Sequence, residues 1–280
     1  MNSDAQAAQE VTRNSRSNFI GSFFFLPHDK KRGMEAVYAF CRLADDAVDE
    51  SASALEANEK LKHWSGELEA AYHGSPTHPV MREIGWTVKR FHIPKKYFDE
   101  LIEGVKKDLD QDRYSDFEEL CEYTYGVASV VGLICMKIFE VEGEDADQGA
   151  ILLGRALQVT NILRDIKSDA MRGRIYLPLN DLKHFSLSED DILQGRLSVR
   201  FDSLMYYEIG QVETLYAEAF RLMKKFPRKK LVAAWIMGKV YYHILQQIKK
   251  DPRAPLREKV NLSKWMKLSI ALKEWIRSWF

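Results

Sequence analysis

Two clusters of carboxylates are the residues of this chain whose types and spacing could do chemistry. In the run ADDAVDE, Asp45 and Asp49 are four positions apart, so a helix would place them on one face. Like charges at that spacing repel by about 0.2–0.5 kcal/mol, and a divalent cation bound between them would turn the repulsion into attraction. A solvated acidic helix end has the same pattern, so this run alone leaves both interpretations open.

The second cluster is a polar stripe through an otherwise apolar helix. Gln158, Asn161, Asp165 and Asp169 recur at intervals of 3, 4 and 4 residues, with apolar residues on the other faces. Such a stripe faces water or lines a cavity. Its oxygen donors favour Mg²⁺ over Zn²⁺. Two such stripes on facing helices could hold Mg²⁺ ions that share their coordination with substrate phosphates.

Arginines accompany both clusters. Arg42 precedes the first, Arg164 lies within the second, and Arg172 and Arg174 follow it. The planar guanidinium group matches the oxygens of a phosphate. Each of these arginines alone would be interpreted as a surface charge. Together with two candidate metal stripes they indicate a diphosphate, and the apolar, aromatic helices around them indicate an isoprenoid substrate.

The elements that must position these residues are all predicted to be helices. The chain has 280 residues with only 15 Gly and 8 Pro, and no stretch alternates long enough for a sheet. We therefore predict an all-α protein with one domain over residues 1–280, in which residues 1–14 are a disordered or loosely held tail. Helices are expected after Pro27 to about residue 50 and over 54–72, 81–91, 97–109, 117–139, 148–169, 188–194, 201–225, 230–250 and 262–280.

Composition excludes several classes of protein. Lys and Arg total 41 and Asp and Glu total 41, so the chain lacks the basic excess of a general nucleic-acid binder. The three cysteines, Cys41, Cys121 and Cys135, have no metal-binding or CxxC spacing and are expected to be reduced thiols. No signal peptide is expected, and the longest nearly apolar run, 127–136, is short of the ~20 residues that span a bilayer. These features predict a cytoplasmic protein.

The charge is unevenly distributed along the chain. Residues 221–280 carry 16 Lys and Arg against 3 Asp and Glu. Within them, large apolar residues recur at helical spacing: Trp265, Leu268, Leu272, Trp275, Ile276 and Trp279. Basic residues accompany them: Lys264, Lys267, Lys273 and Arg277. Two interpretations remain open, a final helix docked on the core and a peripheral contact with anionic lipid at the inner membrane surface.

The motifs taken together resemble those of the squalene/phytoene synthase family of head-to-head prenyl transferases. The resemblance extends from about residue 15 to about residue 247. Its motifs are YAFCR (38–42), DDAVD (45–49), YGVASVVG (125–132), NILRDIKSD (161–169) and RGRIYLP (172–178). Chain-elongating prenyl transferases and terpene cyclases also use paired acidic motifs but lack the third and fifth of these. A helical binding or scaffold protein would leave both polar stripes unexplained.

The resemblance implies an all-α isoprenoid-synthase fold with a central cavity and a set of site residues. It implies Mg²⁺ ligands at Asp45, Asp49, Asn161, Asp165 and Asp169. It implies catalytic roles for these four aspartates and for Tyr38 and Tyr125. It implies substrate contacts from Arg42, Gln158, Arg164, Arg174, Tyr241, Ser17 and Asn18, although SNF at 17–19 departs from the paired serines of some relatives.

Within the family, the runs SNFIGSFFFLP (17–27), AFCRLADDAVDE (39–50) and DLDQDRY (108–114) are most like the bacterial enzymes of the hopanoid pathway that make presqualene diphosphate. This subgroup implies a reaction of two farnesyl diphosphate molecules and a downstream, squalene-forming partner enzyme. The alternatives are a complete squalene synthase, a dehydrosqualene synthase and a phytoene synthase.

Overall fold

A computed structural model describes residues 3–14 and 20–280, and within these ranges the chain is helical and contains no strand. The helices in chain order are α1 Ser3–Asn14, α2 Ile20–Phe23, α3 His28–Asp49, α4 Ala54–His73, α5 Pro79–Phe91, α6 Lys95–Lys106, α7 Phe117–Thr124, α8 Val130–Phe139, α9 Glu144–Met171, α10 Leu179–His184, α11 Glu189–Leu193, α12 Val199–Met223, α13 Val232–Lys250, α14 Ala254–Arg257 and α15 Lys264–Arg277. A 3₁₀ turn, Lys107–Leu109, extends α6, and a π turn, Tyr125–Ser129, joins α7 to α8. The all-α prediction is confirmed.

Helix ends follow local chemistry that is visible in the sequence. Ser188 caps α11 by accepting a hydrogen bond from the Asp191 N–H, and Asp191 accepts one from the Ser188 N–H in return. At the end of α4, Gly74 has φ +86°, a conformation that costs a residue with a Cβ free energy. Such caps explain why most predicted helix boundaries lie within a few residues of the observed ones.

The long helix α9 is the centre of the fold. It packs against α8, α12, α13 and the π turn, and one contiguous hydrophobic core extends from α2 to α15. Its approach to the π turn depends on Gly154, where an added Cβ would lie only 2.7 Å from the Ser129 Cα. Because real Cβ contacts are not this short, glycine is required at this position. The close approach brings the polar stripe of α9 to the bundle interior.

The predicted helix over 117–139 is interrupted by the π turn. A π turn uses hydrogen bonds from residue i to i+5 and inserts about one extra residue into the helix, so side chains after it are rotated relative to those before. By length and composition, Phe117–Phe139 is the one described helical stretch apolar enough to cross a membrane. Since 56% of its apolar window is buried within the protein, it has the character of a core helix.

Residues 3–14 differ from the predicted loose tail. They form α1, which packs against α3 and α5. Asp4 forms an ion pair with Arg82 of α5 at 2.7 Å, and Ala8 and Thr12 are buried four residues apart on one face. The small residues allow close packing, and the Arg82 partner is 78 positions away in the chain. Local sequence reasoning does not reveal such a partner.

Candidate active site

A cavity of about 530 Å³ lies inside the bundle, a size typical of small-molecule sites. Along two helices, α3 and α9, the residues that line the cavity change from apolar to acidic. On α3 the lining residues begin with Met34 and Val37 and end with Asp45 and Asp49, and α9 likewise contributes apolar residues first and acids last. The cavity is therefore divided into an apolar region and a region rich in charge.

Contacts between charged groups join the acidic ends of the two helices. Arg172 Nη1 lies 3.3 Å and Arg174 Nη1 lies 3.6 Å from Asp49 Oδ1. Both arginines follow α9 directly, whereas Asp49 is the last residue of α3. The two predicted acidic clusters and their flanking arginines thus meet at one end of the cavity, as the sequence predicts.

The α3 pair is Asp45 and Asp49. Asp45 lies deep among protein atoms, although the cavity leaves it accessible to water. Its burial and the neighbouring Asp49 carboxylate raise the pKa of Asp45 to about 7. Arg42 also lines the cavity, and its guanidinium group forms an ion pair with Asp46 at 2.5 Å. A cation bound beside Asp45 would stabilise its ionised carboxylate against both burial and the repulsion from Asp49.

The α9 acids differ from each other in their partners. Asp165 accepts from Arg164 at 2.5 Å and forms an ion pair with Lys259 at 3.1 Å. Burial alone would raise the pKa of Asp165, but these two cations lower it overall. Asp169 lacks such close partners, and burial together with Asp165 raises the pKa of Asp169 to about 7. Asp165 is therefore held ionised by the protein, whereas the charge of Asp169 is compensated only in part, by the more distant Arg172, Arg174 and Lys259.

Gln158 and Asn161 complete the polar stripe of α9 inside the cavity. The Asn161 amide donates to Gln158 Oε1 at 3.3 Å. Its oxygen, Oδ1, is buried and has no hydrogen-bond donor within residues 3–14 and 20–280. An orphaned buried acceptor that faces a cavity suits a cation or a donor on a ligand.

The residues present fit Mg²⁺. They supply two carboxylates from α3 and two carboxylates with the orphaned Asn161 oxygen from α9, and all of these donors are hard oxygens. In the described part of the chain, no three His, Cys, Asp or Glu side chains gather closely enough to hold an ion by themselves. Such an open donor set suits an ion that also takes water and diphosphate oxygens as ligands.

Asp108 is the centre of a polar cluster that sequence reasoning missed. The Tyr123 and Tyr176 hydroxyls donate to its two carboxylate oxygens at 3.1 Å each, and Arg174 donates to its backbone oxygen at 3.4 Å. Asp108, Tyr123 and Tyr176 all line the cavity, and the Tyr114 ring lies 5.1 Å and 5.7 Å from the two tyrosine rings. The only sequence signal was the run DLDQDRY, to which the pattern alone assigns no role.

The predicted cavity tyrosines have different outcomes. Tyr38 and Tyr241 line the cavity, and the Arg164 guanidinium carbon lies 6.0 Å from the Tyr241 ring centroid. Tyr125 is not among the residues that line the cavity, and its hydroxyl donates to Glu100 of α6 at 3.4 Å, so its catalytic role stays a prediction. Tyr123 lies two residues earlier, on α7, and it is this side chain that lines the cavity.

Two further predicted contacts, Ser17 and Asn18, lie outside the described residues. All other predicted site residues, apart from Tyr125, line the one cavity: Tyr38, Arg42, Asp45, Asp49, Gln158, Asn161, Arg164, Asp165, Asp169, Arg174 and Tyr241.

An all-α bundle with paired acids, arginines and an apolar cavity defines a class of enzyme that acts on apolar diphosphates. The particular family follows from comparison with known proteins. Residues 11–266 match the squalene/phytoene synthase family model. The chain is 31% identical over 276 residues to a phytoene synthase of Arthrospira platensis, covering 94% of this chain and 89% of that protein. It is 33% identical over 258 residues to a presqualene diphosphate synthase of Rhodopseudomonas palustris, covering 92% of each.

Solved structures agree with these relatives. A dehydrosqualene synthase superposes with a TM-score of 0.89 at 27% identity, covering 99% of this chain and 97% of that one. A squalene synthase of Alicyclobacillus acidocaldarius superposes with a TM-score of 0.83 at 29% identity, covering 89% and 94%. The chain belongs to the squalene/phytoene synthase family and has its isoprenoid-synthase fold. It is a prenyltransferase of a family that condenses prenyl diphosphates head to head.

Proposed function

We propose that this enzyme condenses two molecules of farnesyl diphosphate head to head into presqualene diphosphate, with Mg²⁺ assisting the departure of diphosphate. The observation that carries the proposal is the division of one cavity into an acid- and arginine-rich end and an apolar region. An allylic diphosphate has the same division, with a highly charged head and a hydrocarbon chain. The charged end would therefore hold the head while the apolar region holds the chain.

The carboxylates would hold the metal ions. Asp45 and Asp49 would bind from α3, and Asn161, Asp165 and Asp169 would bind from α9. When bound, Mg²⁺ would neutralise the diphosphate oxygens and so make diphosphate a better leaving group.

The arginines bind and orient the diphosphate. Arg174 and Arg172 lie beside Asp49, and Arg164 is held in place by Asp165 and faces Tyr241. A guanidinium that is fixed before the substrate binds stabilises charge that develops on the leaving group without first having to reorganise. Arg164 is itself buried, so its charge acts in surroundings that screen it less than water does.

The walls of the cavity protect the carbocation that forms when the first diphosphate leaves. Tyr38, Tyr123 and Tyr241 place aromatic rings at the cavity surface, and each ring face can stabilise a cation by about 0.5–2 kcal/mol. The apolar lining excludes water that would quench the cation. The double bond of the second molecule then attacks the cation, and loss of a proton closes the cyclopropane.

The Asp108 cluster holds two hydroxyls at the cavity surface. Because the Tyr123 and Tyr176 hydroxyls both donate to Asp108, their oxygens are left able to accept a hydrogen bond or a proton from the cavity side. The proton that is lost when the cyclopropane closes could pass to the departed diphosphate, or to a tyrosine oxygen as that hydroxyl gives its own proton to the Asp108 carboxylate. The hydrogen bonds to Asp108 fix where the two tyrosine oxygens lie.

The choice of product is supported by the presqualene diphosphate synthase at 33% identity and by the runs at 17–27 and 108–114. Presqualene diphosphate keeps one diphosphate, so a second, squalene-forming enzyme would consume it. Phytoene synthases at 31% and 34% identity support the same condensation with a longer substrate. Product analysis must therefore decide between them.

The test is incubation of the purified protein with Mg²⁺ and either farnesyl or geranylgeranyl diphosphate, each with and without NADPH. We expect a C30 cyclopropyl diphosphate from farnesyl diphosphate, in both the presence and the absence of NADPH, identified by mass and chromatography. Squalene as the main product would identify a complete squalene synthase, and a C30 polyene without NADPH would identify a dehydrosqualene synthase. Preference for geranylgeranyl diphosphate would identify a phytoene synthase. Any of these three results would overturn the proposed product.

A further inference from the structure

The last helix, α15, has two apolar faces. One packs into the protein through Ile270 and Ala271. The other is exposed and consists of Trp265, Leu268, Leu272 and Ile276, joined by Trp279 two residues beyond the end of the helix; their exposed fractions range from 47% to 81%. At about 100° per residue, the four helical positions fall within a sector of about 80° around the helix axis. Single exposed apolar residues are ordinary, but a continuous stripe of this kind marks an interaction surface. We call it the α15 face.

Cations border the α15 face. Lys264 and Lys273 are exposed on the same helix. The single acid of α15, Glu274, is buried and forms ion pairs with Arg228 and Arg277. The ammonium group of Lys229, from the loop before α13, lies 4.4 Å from the Trp279 ring centroid. The surface is therefore apolar with a positive border.

The α15 face is continuous with the wall of the cavity. The short helix α2 packs against both α13 and α15. In and directly after α2, three successive phenylalanines point to three environments. Phe23 is buried and lines the cavity, Phe24 is 78% exposed, and the Phe25 ring lies 6.0 Å from that of Trp275 on α15. The exposed aromatic surface thus begins one residue away from the cavity wall.

We propose that the α15 face docks on an anionic lipid bilayer, with its tryptophans at headgroup level and its lysines against lipid phosphates. Tryptophan and lysine together suit this interface, because indole rings prefer the headgroup region and each lysine gains electrostatic free energy near anionic lipid. A protein partner fits less well, since lysine is depleted from protein–protein interfaces. That the same bilayer supplies the substrate and takes up the product rests on the proposed function; the docking itself does not.

The test is flotation of the purified full chain with vesicles of phosphatidylcholine alone or mixed with phosphatidylglycerol. We expect co-flotation with the anionic vesicles at low salt and release at high salt. The variant W265S/L268S/L272S and the variant K264E/K273E should each bind anionic vesicles at least about tenfold more weakly. The matched control is L55S, since Leu55 is also a large exposed apolar residue, 72% exposed, but lies on α4.

Several results would overturn the proposal. These are failure of the wild type to float, equal binding to neutral vesicles, full binding by either α15 variant, and loss of binding by the control. A concentration-dependent dimer that W265S/L268S/L272S abolishes, without flotation, would assign the α15 face to a second copy of the chain. Circular dichroism melts confirm that the variants fold. Turnover of detergent-dispersed farnesyl diphosphate by W265S/L268S/L272S should equal that of the wild type. If wild type and variant are both inactive, the proposed function fails while the docking result stands.

Discussion

Replacement of Asp49 by alanine should separate an effect on catalysis from an effect on stability. The Asp49 side chain is 38% exposed, and its partners Arg172 and Arg174 lie at 3.3 Å and 3.6 Å. Ion pairs of this exposure contribute about 0–1 kcal/mol, and the change also removes repulsion from Asp45. We therefore expect the free energy of unfolding of Asp49→Ala to stay within about 1 kcal/mol of the wild type.

Turnover should respond very differently. If Asp49 is a metal ligand, its loss weakens the binding and positioning of the ion that neutralises the leaving diphosphate. We therefore expect turnover to fall by at least about 10²-fold at saturating Mg²⁺. The assay pairs urea denaturation, followed by circular dichroism, with diphosphate release from farnesyl diphosphate.

The same helix offers a matched control in Asp29. It is likewise an exposed carboxylate beside an arginine, Arg90 at 3.6 Å, and it does not line the cavity. Asp29→Ala should keep turnover within a few-fold of the wild type. Near-normal turnover of Asp49→Ala, or an equal loss in both variants, would refute the assignment of Asp49 to the metal site.

Three further predictions follow from the partners of individual side chains. Asp165→Ala should lower the free energy of unfolding by about 3–5 kcal/mol in urea denaturation, because it leaves the buried Arg164 charge unpaired; a loss below 1 kcal/mol would contradict this. Burial, followed by the nearby Asp181 carboxylate, raises the pKa of Glu208 to about 9. The stability that its protonated form contributes is therefore fully present below pH ~4.5 and is lost as the pH rises through ~9. Glu208→Gln should therefore gain on the wild type by up to about 1.4 kcal/mol per pH unit between pH 5 and 8 in denaturation series, and parallel pH profiles would show the reasoning to be wrong. Tyr123→Phe should lower turnover about tenfold or more, whereas Tyr125→Phe should leave it unchanged, since of these two residues Tyr123 alone lines the cavity; the opposite ranking would assign the catalytic role to Tyr125 instead.

The acidic site could be predicted from the sequence because its parts are local. Asp45 and Asp49 share a face of one helix, and Asn161, Asp165 and Asp169 share a face of another, so helical periodicity alone groups each set. Arg174 follows the second set within five residues. That the two sets face each other across the cavity depends on the arrangement of the whole bundle, and from the sequence only the resemblance to the family motifs indicated it.

The rest of the site depends on features that a helical pattern does not contain. Tyr123 lines the cavity and Tyr125 does not, because side chains two positions apart on a helix point in roughly opposite directions, and helical periodicity alone does not say which of the two faces inward. Asp108 gained its role from Tyr176, which is 68 positions away. The lowered pKa of Asp165 likewise depends in part on Lys259, which is 94 positions away. Long-range partners of this kind are set by tertiary packing.

The ratio of diphosphate released to farnesyl diphosphate consumed tests the central claim most directly. Presqualene diphosphate keeps one of the two diphosphates, so purified enzyme with Mg²⁺ should release one diphosphate for every two substrate molecules consumed, and chelation of the metal should stop the release. A ratio of one diphosphate per substrate molecule would mean that the second diphosphate also leaves, as it does when a C30 hydrocarbon or a hydrolysed alcohol is the product. That ratio, or release that continues after chelation, would contradict the account.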